Sequence, residues 1–382
     1  PNCLKTTTTN NKSRQLLKID VMSEWKKYKL GELVQTNKKS IDSNYPFEEI
    51  EYLDTGSITR GKIESFQKYK LSEAPSRAKR LVVQDDIIYS TVRPIQRHYG
   101  FIDNPLSNLV VSTGFATITC EKDKLNPKFL YYLLSNDDTV EYLDVIAEAS
   151  TSAYPSLRPS DIENLEITIP ELPEQKAIAS ILSSLDNKID LLHRQNATLE
   201  KMAETLFRQW FIEDAKEEWE IAKMESLISI GSGKGLKKES FIENGLYPIL
   251  GANGEIGRTN EFIFDEKLIY TGRVGTLGNI FRIENEKVWL SDNTLVIKPL
   301  GFFNFIYFTL KNSHLEDYDV GSTQPLIRQS DIKEIEVVLP PIEILKEFES
   351  IANKVFQKIK SNQTQIRTLT ALRDTLLPKL MS

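Results

Sequence analysis

The chain is a duplication. Trp25-Lys26-Lys27-Tyr28-Lys29-Leu30 opens one copy, and Trp219-Glu220-Ile221-Ala222-Lys223-Met224 opens another 194 positions later. Gly56-Ser57-Ile58-Thr59-Arg60 is echoed by Gly254-Glu255-Ile256-Gly257-Arg258, and Ile88-Tyr89-Ser90 by Ile269-Tyr270-Thr271. Phe129-Leu130-Tyr131-Tyr132 is echoed by Phe305-Ile306-Tyr307-Phe308. The copies also close alike: Ser160-Asp161-Ile162 leads to Pro170, and Ser330-Asp331-Ile332 leads to Pro340, at an offset of 170. The offset shrinks along the chain because the second copy has shorter loops. A repeat of this size constrains the fold more than any single motif, since two like units predict a pseudo-twofold arrangement.

Within each copy, short alternating apolar runs (Leu81 to Tyr89, Val288 to Ile297) are separated by breakers such as Arg93-Pro94, Asn126-Pro127 and Gly251-Ala252-Asn253-Gly254. That pattern predicts a mixed α and β region. A long helix follows Pro170 in one copy and Pro340-Pro341 in the other. Pro173 suits a first turn, where its missing N–H costs nothing. The expected class is α+β: two pseudo-twofold-related mixed α/β domains joined by two long antiparallel coiled-coil helices. The expected boundaries are 23–170 and 216–340 for the domains, and 171–215 and 341–382 for the helices. The Thr/Asn-rich segment 1–22 is expected to be a disordered tail.

The helical segments carry heptad seams. In the first, Ile178, Leu182, Leu185, Ile189, Leu192, Asn196, Leu199, Ala203, Leu206 and Trp210 step by four and three alternately. Adding 170 gives Phe348, Ala352, Val355, Ile359, Asn362, Ile366, Leu369, Arg373, Leu376 and Leu380. Each seam has one Asn near its middle. A parallel pair would set Asn196 against Ile366 and Asn362 against Leu192, leaving each amide buried against hydrocarbon at a cost of about 1–3 kcal/mol. An antiparallel pair sets Asn196 against Asn362, where the amides satisfy each other and fix the register. About 40 residues at 1.5 Å each would make a strut of roughly 60 Å. The competing arrangement is two separate helices, each packed on its own domain.

Composition narrows the function. With 40% apolar and 27% charged residues, the 382-residue chain is neither a disordered tail nor a fibrous protein. It has no run of about 18 apolar residues that could span a membrane. Its opening residues lack an apolar signal core, so a cytoplasmic protein is expected. Cys3, Cys120, His98, His193 and His314 are scattered, and no zinc spacing or disulfide framework follows. Net charge is −6, yet Arg60 to Arg97 holds nine basic residues against four acidic, a local excess of +5. Nucleic-acid binding depends on such distribution rather than on the sum.

The catalytic motifs fail on inspection. Gly231-Ser232-Gly233-Lys234-Gly235 lacks the upstream glycine of a phosphate loop, because position 228 is Ile. It also lacks the Ser or Thr after the lysine that would reach magnesium. It reads as a basic loop continued by Lys237 and Lys238. Gly272, Gly275 and Gly278 are followed by no dinucleotide pattern. Asp103-Asn104-Pro105-Leu106 partly resembles the base-clamping loop of amino-methyltransferases, but the second proline and the stacking aromatic are missing, and a turn is expected. His98 beside Arg97 either touches phosphate or decorates a loop.

Taken together, these residues resemble the specificity (DNA-recognition) subunit of type I restriction–modification enzymes. The resemblance is carried by Trp25 to Leu33, Ile87 to Pro94, Ser112-Thr113-Gly114-Phe115 and the run from Leu157 to Ala179. In the second copy it is carried by Tyr270 to Gly275, Ser291-Asp292-Asn293-Thr294 and Gly321-Ser322-Thr323-Gln324-Pro325. It covers nearly everything from Trp25 onward; single segments are modestly specific, whereas their order, repeated twice, is highly specific. The resemblance implies two target-recognition domains, each reading one half of a split, asymmetric double-stranded DNA site. It implies a coiled coil that spaces them and docks two modification (methyltransferase) subunits, with ATP-dependent restriction subunits as a further partner. S-adenosylmethionine, ATP and Mg would sit on those partners, and this chain would hold no cofactor, no metal and no catalytic residue. One departure is that the Pro-Glu-Gln helix start of the first copy becomes Pro341-Ile342-Glu343-Ile344-Leu345-Lys346, so docking there is expected to differ in detail.

Arg and Lys neutralise phosphates and release counterions, and Arg, Asn and Gln can pair base edges. The candidates are Arg60, Arg77, Lys79, Arg80, Arg93 and Arg97 in the first domain. In the second they are Lys234, Lys237, Lys238, Asn253, Arg258 and Arg273. Arg93 and Arg273 rank first, as residues near corresponding positions just after a strand. The rival reading is a DNA-independent scaffold or anti-restriction decoy that binds the modification subunits; a hydrolase with a cryptic site is remote.

Overall fold

A computed structural model describes residues 24–150, 154–275, 277–319 and 325–381. The tail 1–22 and Gly321 to Gln324 lie outside the described residues. The chain forms two compact units, Pro1–Ile189 with Thr368–Ser382, and Asp190–Arg367.

The first globular region begins with β1 (Lys26–Lys29), β2 (Val34–Thr36), β3 (Glu49–Leu53) and the short hairpin β4 (Ile58–Thr59) and β5 (Lys62–Ile63). It continues through β6 (Gln67–Lys70), β7 (Ala78–Leu81), β8 (Ile87–Ser90), β9 (Tyr99–Phe101), β10 (Leu109–Ser112) and β11 (Phe115–Cys120). Helices α1 (Pro127–Ser135), α2 (Asp137–Glu148) and α3 (Pro159–Glu163) follow, then β12 (Glu166–Ile169) and the long α4 (Leu172–Arg208).

The second region has β13 (Glu220–Lys223), β14 (Ile228–Ser232), β15 (Tyr247–Gly251), β16 (Gly254–Thr259), β17 (Leu268–Gly272) and β18 (Ile280–Ile283). It is completed by β19 (Trp289–Leu290), β20 (Thr294–Pro299), α5 (Phe303–Lys311), α6 (Gln329–Lys333), β21 (Glu336–Leu339) and the long α7 (Ile342–Leu380).

The two topologies correspond. One sheet runs β2-β11-β8-β9 in the first unit and β14-β20-β17-β18 in the second. The other runs β6-β3-β10-β7 against β16-β15-β19, with one parallel pair in each, β3 with β10 and β15 with β19. A two-stranded ribbon closes each unit, β1 with β12 and β13 with β21, in the same antiparallel register. In the second unit β7 is reduced to a single antiparallel bridge, Phe264 with Val288, and the β4–β5 hairpin has no counterpart among the described residues.

Strand register corrects two of the sequence echoes. Ile87 pairs Ile118 and Ile269 pairs Ile297, so Ile87 corresponds to Ile269 and Ile88 to Tyr270. The echo of Ile88-Tyr89-Ser90 with Ile269-Tyr270-Thr271 is one residue out of phase. All four residues of β8 and all five of β17 are buried, so alternation supplied no phase, and a slip of one exchanges the sheet faces. The cores agree with the corrected register: Ile87 and Ile269 face the helices, while Ile88 and Tyr270 face the smaller cluster between sheets. Gly254 to Arg258 lies in β16, which returns along β15, whereas Ile58-Thr59 pairs with Lys62-Ile63. That echo is not matched by strand pairing.

In both units the long helices run antiparallel. In the second, Asn362 Nδ2 donates to Asn196 Oδ1 at 2.8 Å and to Gln195 Oε1 at 2.9 Å. Phe207, further along α4, meets Phe348, which lies earlier on α7 than Asn362, at 5.9 Å between ring centres. In the first unit, Arg373 donates to Asp186 Oδ1 at 3.0 Å, and Leu376, Leu377 and Leu380 pack on the core that holds Ile178 and Leu182. Leu192 and Asn362 are buried; Leu185, Ile189, Asn196, Leu199, Val355, Ile359, Ile366 and Leu369 are half-buried, as a two-helix seam requires. Asn362 Oδ1 accepts no hydrogen bond among the described residues, so the amides satisfy each other only in part.

Gln175 is internal rather than a docking group. It is 1% exposed, its Nε2 donates to the Pro170 and Lys124 carbonyls, and its Oε1 accepts the Asn126 N–H at 2.8 Å. The corresponding Leu345 is buried by apolar neighbours, and Glu349 instead accepts the Phe305 N–H at the start of α5, at 2.9 Å. The departure at the second helix start therefore changes how the helix is fastened to its own domain.

Candidate DNA interface

Arg77, Arg93 and Arg273 lie where the backbone is knotted just after β8 and β17. In the first unit, Thr91 donates its N–H and its hydroxyl to the Gly114 carbonyl at 2.8 and 2.9 Å, and Leu157 N–H donates to Thr91 O at 2.7 Å. Arg93 N–H donates to Pro155 O, and Thr113 N–H to Arg77 O, so Arg77 and Arg93 bracket one junction. The second unit repeats it. Arg273 N–H donates to Asn293 O at 2.8 Å, Ile327 N–H to Arg273 O at 3.1 Å, and Gly275 N–H to Pro325 O at 2.9 Å.

These bonds equate Thr91 with Arg273 and Arg93 with Gly275. Arg93 and Arg273 are therefore two residues apart in the fold, not equivalent. Both side chains are exposed. Arg93 holds φ +46 where the second unit has a glycine at φ +88. A non-glycine residue in the left-handed region is strained, and such positions cluster at functional sites. The Arg93 guanidinium carbon lies 5.8 Å from the Tyr154 ring centre.

The other candidates separate by what their side chains touch. Arg97 is tied to Asp137, in the first turn of α2, and its side chain is only 16% exposed. Arg258 is similarly committed: its Nε donates to Gly245 O, Nη1 to Glu255, and Nη2 to Leu246 O. These two guanidiniums brace their own domains. Arg80 is half-buried on β7, with Nη1 3.5 Å from Ser40 Oγ, and its Nε has no hydrogen-bond partner among the described residues. Arg60, Arg77, Lys79, Lys234, Lys237, Lys238 and Asn253 are exposed.

Backbone packing accounts for the glycine-rich segment. A Cβ at Gly233 would come within 2.1 Å of Ser291 O, and Lys234 O accepts the Trp289 indole N–H at 2.7 Å. The loop lies flat on the 290–294 turn and forms no phosphate cradle. Asp103 to Leu106 is a turn: Asn104 has φ +51, and Gln84 clamps it through Asp103 Oδ1 and the Asn104 N–H. No group of three or more His, Cys, Asp or Glu suited to a metal ion occurs among the described residues, nor does a helix long and apolar enough to cross a membrane.

Sequence reading missed the fold-level equivalence of Thr91 and Arg273, because it is defined by hydrogen bonds to the 113–114 and 293 turns. It also missed that Arg97 and Arg258 are committed internally; no signal short of their spatial partners could reveal that.

Two domains of one topology, each raising cations around the same backbone junction, define a tandem DNA-recognition protein. The family model described as "Type I restriction modification DNA specificity domain" matches residues 22–201 and again 216–371. The chain belongs to that family, as a specificity component and not a catalytic one. It is 25% identical to the type I restriction enzyme HindI specificity subunit of Haemophilus influenzae, covering 94% of this chain and 99% of that protein. It is 29% identical to the MjaIX specificity subunit of Methanocaldococcus jannaschii, covering 79% and 78%. The crystal structure of the type I restriction–modification S subunit from M. genitalium shares the fold, with a TM-score of 0.63 at 21% identity, covering 96% of this chain and 98% of that one.

Proposed function

We propose that the chain reads a bipartite, asymmetric double-stranded DNA site, one half-site per domain, and carries two modification subunits to it. Restriction subunits join the same assembly. The methyl donor, ATP and Mg belong to those partners, and the assembly works in the cytoplasm with the DNA. The domains correspond to 23–170 and 216–340, and the helices 171–215 and 341–382 set the length of the unspecified gap. One observation carries this reading: the same strand-end junction is built twice, with different side chains on it. A shared frame with divergent surface is what recognition of two unlike half-sites requires. Apolar side chains on the outer faces of the long helices support protein docking, with Ile181 48%, Leu191 49%, Met202 58% and Leu372 45% exposed.

Duplex binding across a salt series tests the reading. Phosphate neutralisation predicts that log K falls linearly with log salt, by about 0.9 per phosphate contacted. A chain that retains no duplex DNA even at low salt would instead be the scaffold or decoy.

A further inference from the structure

We infer that the β4–β5 hairpin is the base-reading ribbon of the first half-site, with Arg60 at its tip as the specificity-determining residue. The inference rests on the DNA-recognition reading above and adds the element and the residue. The hairpin occurs only in the first unit among the described residues, so it is where the two frames differ most.

Its construction is that of a rigid pointer. Ile58 faces Ile63 and Thr59 faces Lys62, leaving Arg60-Gly61 as a two-residue turn. Both turn residues have positive φ, +48 and +80, the geometry that suits the right-handed twist of a tight hairpin. Arg60 is thus held in a left-handed conformation that Asn or Gly would adopt more readily. The tip is bolted to the edge of the neighbouring sheet: Arg60 N–H donates to Arg97 O and Gly61 N–H to Tyr99 O, both at 2.8 Å. His98 Nδ1–H donates to Ile58 O at 2.5 Å, which gives that histidine a structural task. Ile58 is 1% exposed in the core between sheets, and Gly100 leaves room for it, since a Cβ there would lie 2.4 Å from Ile58 Cδ1.

Against that anchored backbone, the side chains of Thr59, Arg60 and Lys62 are exposed. Arg97 supplies the carbonyl that holds Arg60 while its own guanidinium is held by Asp137. It is a positioning residue, and Arg60 is the group it positions. A two-stranded ribbon fits the major groove, and a guanidinium there pairs bidentately with guanine N7 and O6. A flexible loop would lose that pairing to entropy; a preset turn loses less.

Binding-site selection from a random duplex pool, run with the full chain, tests the assignment. Arg60→Asn keeps a residue that favours the turn and removes the guanidinium; Arg60→Lys keeps the charge and removes the fork. Both variants should lose about tenfold or more discrimination at one or two positions of one half-site, leaving the other half-site intact. Full retention of the motif by Arg60→Asn, with only a salt slope smaller by about one contact, would make Arg60 a phosphate anchor and overturn the assignment. A wild-type chain that selects no motif would overturn the DNA-recognition reading itself, and this inference with it.

Discussion

The same place in the two units is locked by opposite chemistry. Where the long helices cross the first domain, Tyr132 hydroxyl donates to Asp186 Oδ2 at 2.6 Å and Arg373 donates to Asp186 Oδ1 at 3.0 Å. The corresponding residues of the second unit are Phe308, Phe356 and Ala203. There the Phe308 and Phe356 rings lie 6.0 Å apart, and the Arg282 guanidinium sits 3.3 Å over the Phe356 ring centre. One unit has a hydrogen-bonded charge network, the other an aromatic stack, on one backbone plan. The difference specifies the pairing: a parallel, in-register pair of helices would set Arg373 against Ala203 and part it from Asp186. Together with the Asn196–Asn362 layer, it selects the antiparallel arrangement.

Exchanging the locks tests this comparison. The largest effect belongs to the stack. Phe308 is fully buried, and Phe308→Ala should lower the unfolding free energy by about 3–5 kcal/mol in urea titrations. Tyr132→Phe, which makes the first unit resemble the second, should cost about 1 kcal/mol. Equal losses would mean that the network is as cohesive as the stack and that the contrast has no energetic content.

Gln175→Leu copies the second helix start into the first. It should nonetheless destabilise by about 1–3 kcal/mol, because the Asn126 N–H and two carbonyls lose their buried partner. A neutral outcome would show that either fastening suits either domain. At the Asn layer, Asn362→Leu alone should cost about 1–2 kcal/mol, whereas Asn196→Leu with Asn362→Leu should be near neutral by double-mutant cycle. Smallest in stability are Arg93→Ala and Arg273→Ala. Each should leave the melting temperature unchanged and reduce the salt slope of duplex binding by about one. A cooperative loss of folding in either would assign that arginine to structure.

Much of the architecture was legible in the sequence because its signals are periodic and long. The heptads and the paired Asn layers come from spacing alone, and the Ser-Asp-Ile motif marks where α3 and α6 precede their ribbons. Short buried strands were less legible. Burial at every position of β8 leaves no alternation to set a phase, so the Ile88 echo slipped by one; Arg93 and Arg273, read as near corresponding positions, lie two apart. The candidate interface was legible only as a list of cations. Arg60, Arg97 and Arg258 look alike in sequence; they part because Asp137 and the carbonyls of residues 245 and 246 happen to lie beside two of them. Gln175 read as part of a docking motif, and only the carbonyls around it reveal an internal clamp.

The central claim is that one frame, duplicated, reads two half-sites through different side chains. Replacing the second globular region, 216–340, with that of another family member and repeating binding-site selection tests it most directly. The account predicts that one half of a split motif changes while the other half and the gap stay the same. A motif that changes throughout, or that proves continuous with no unspecified gap, would contradict it.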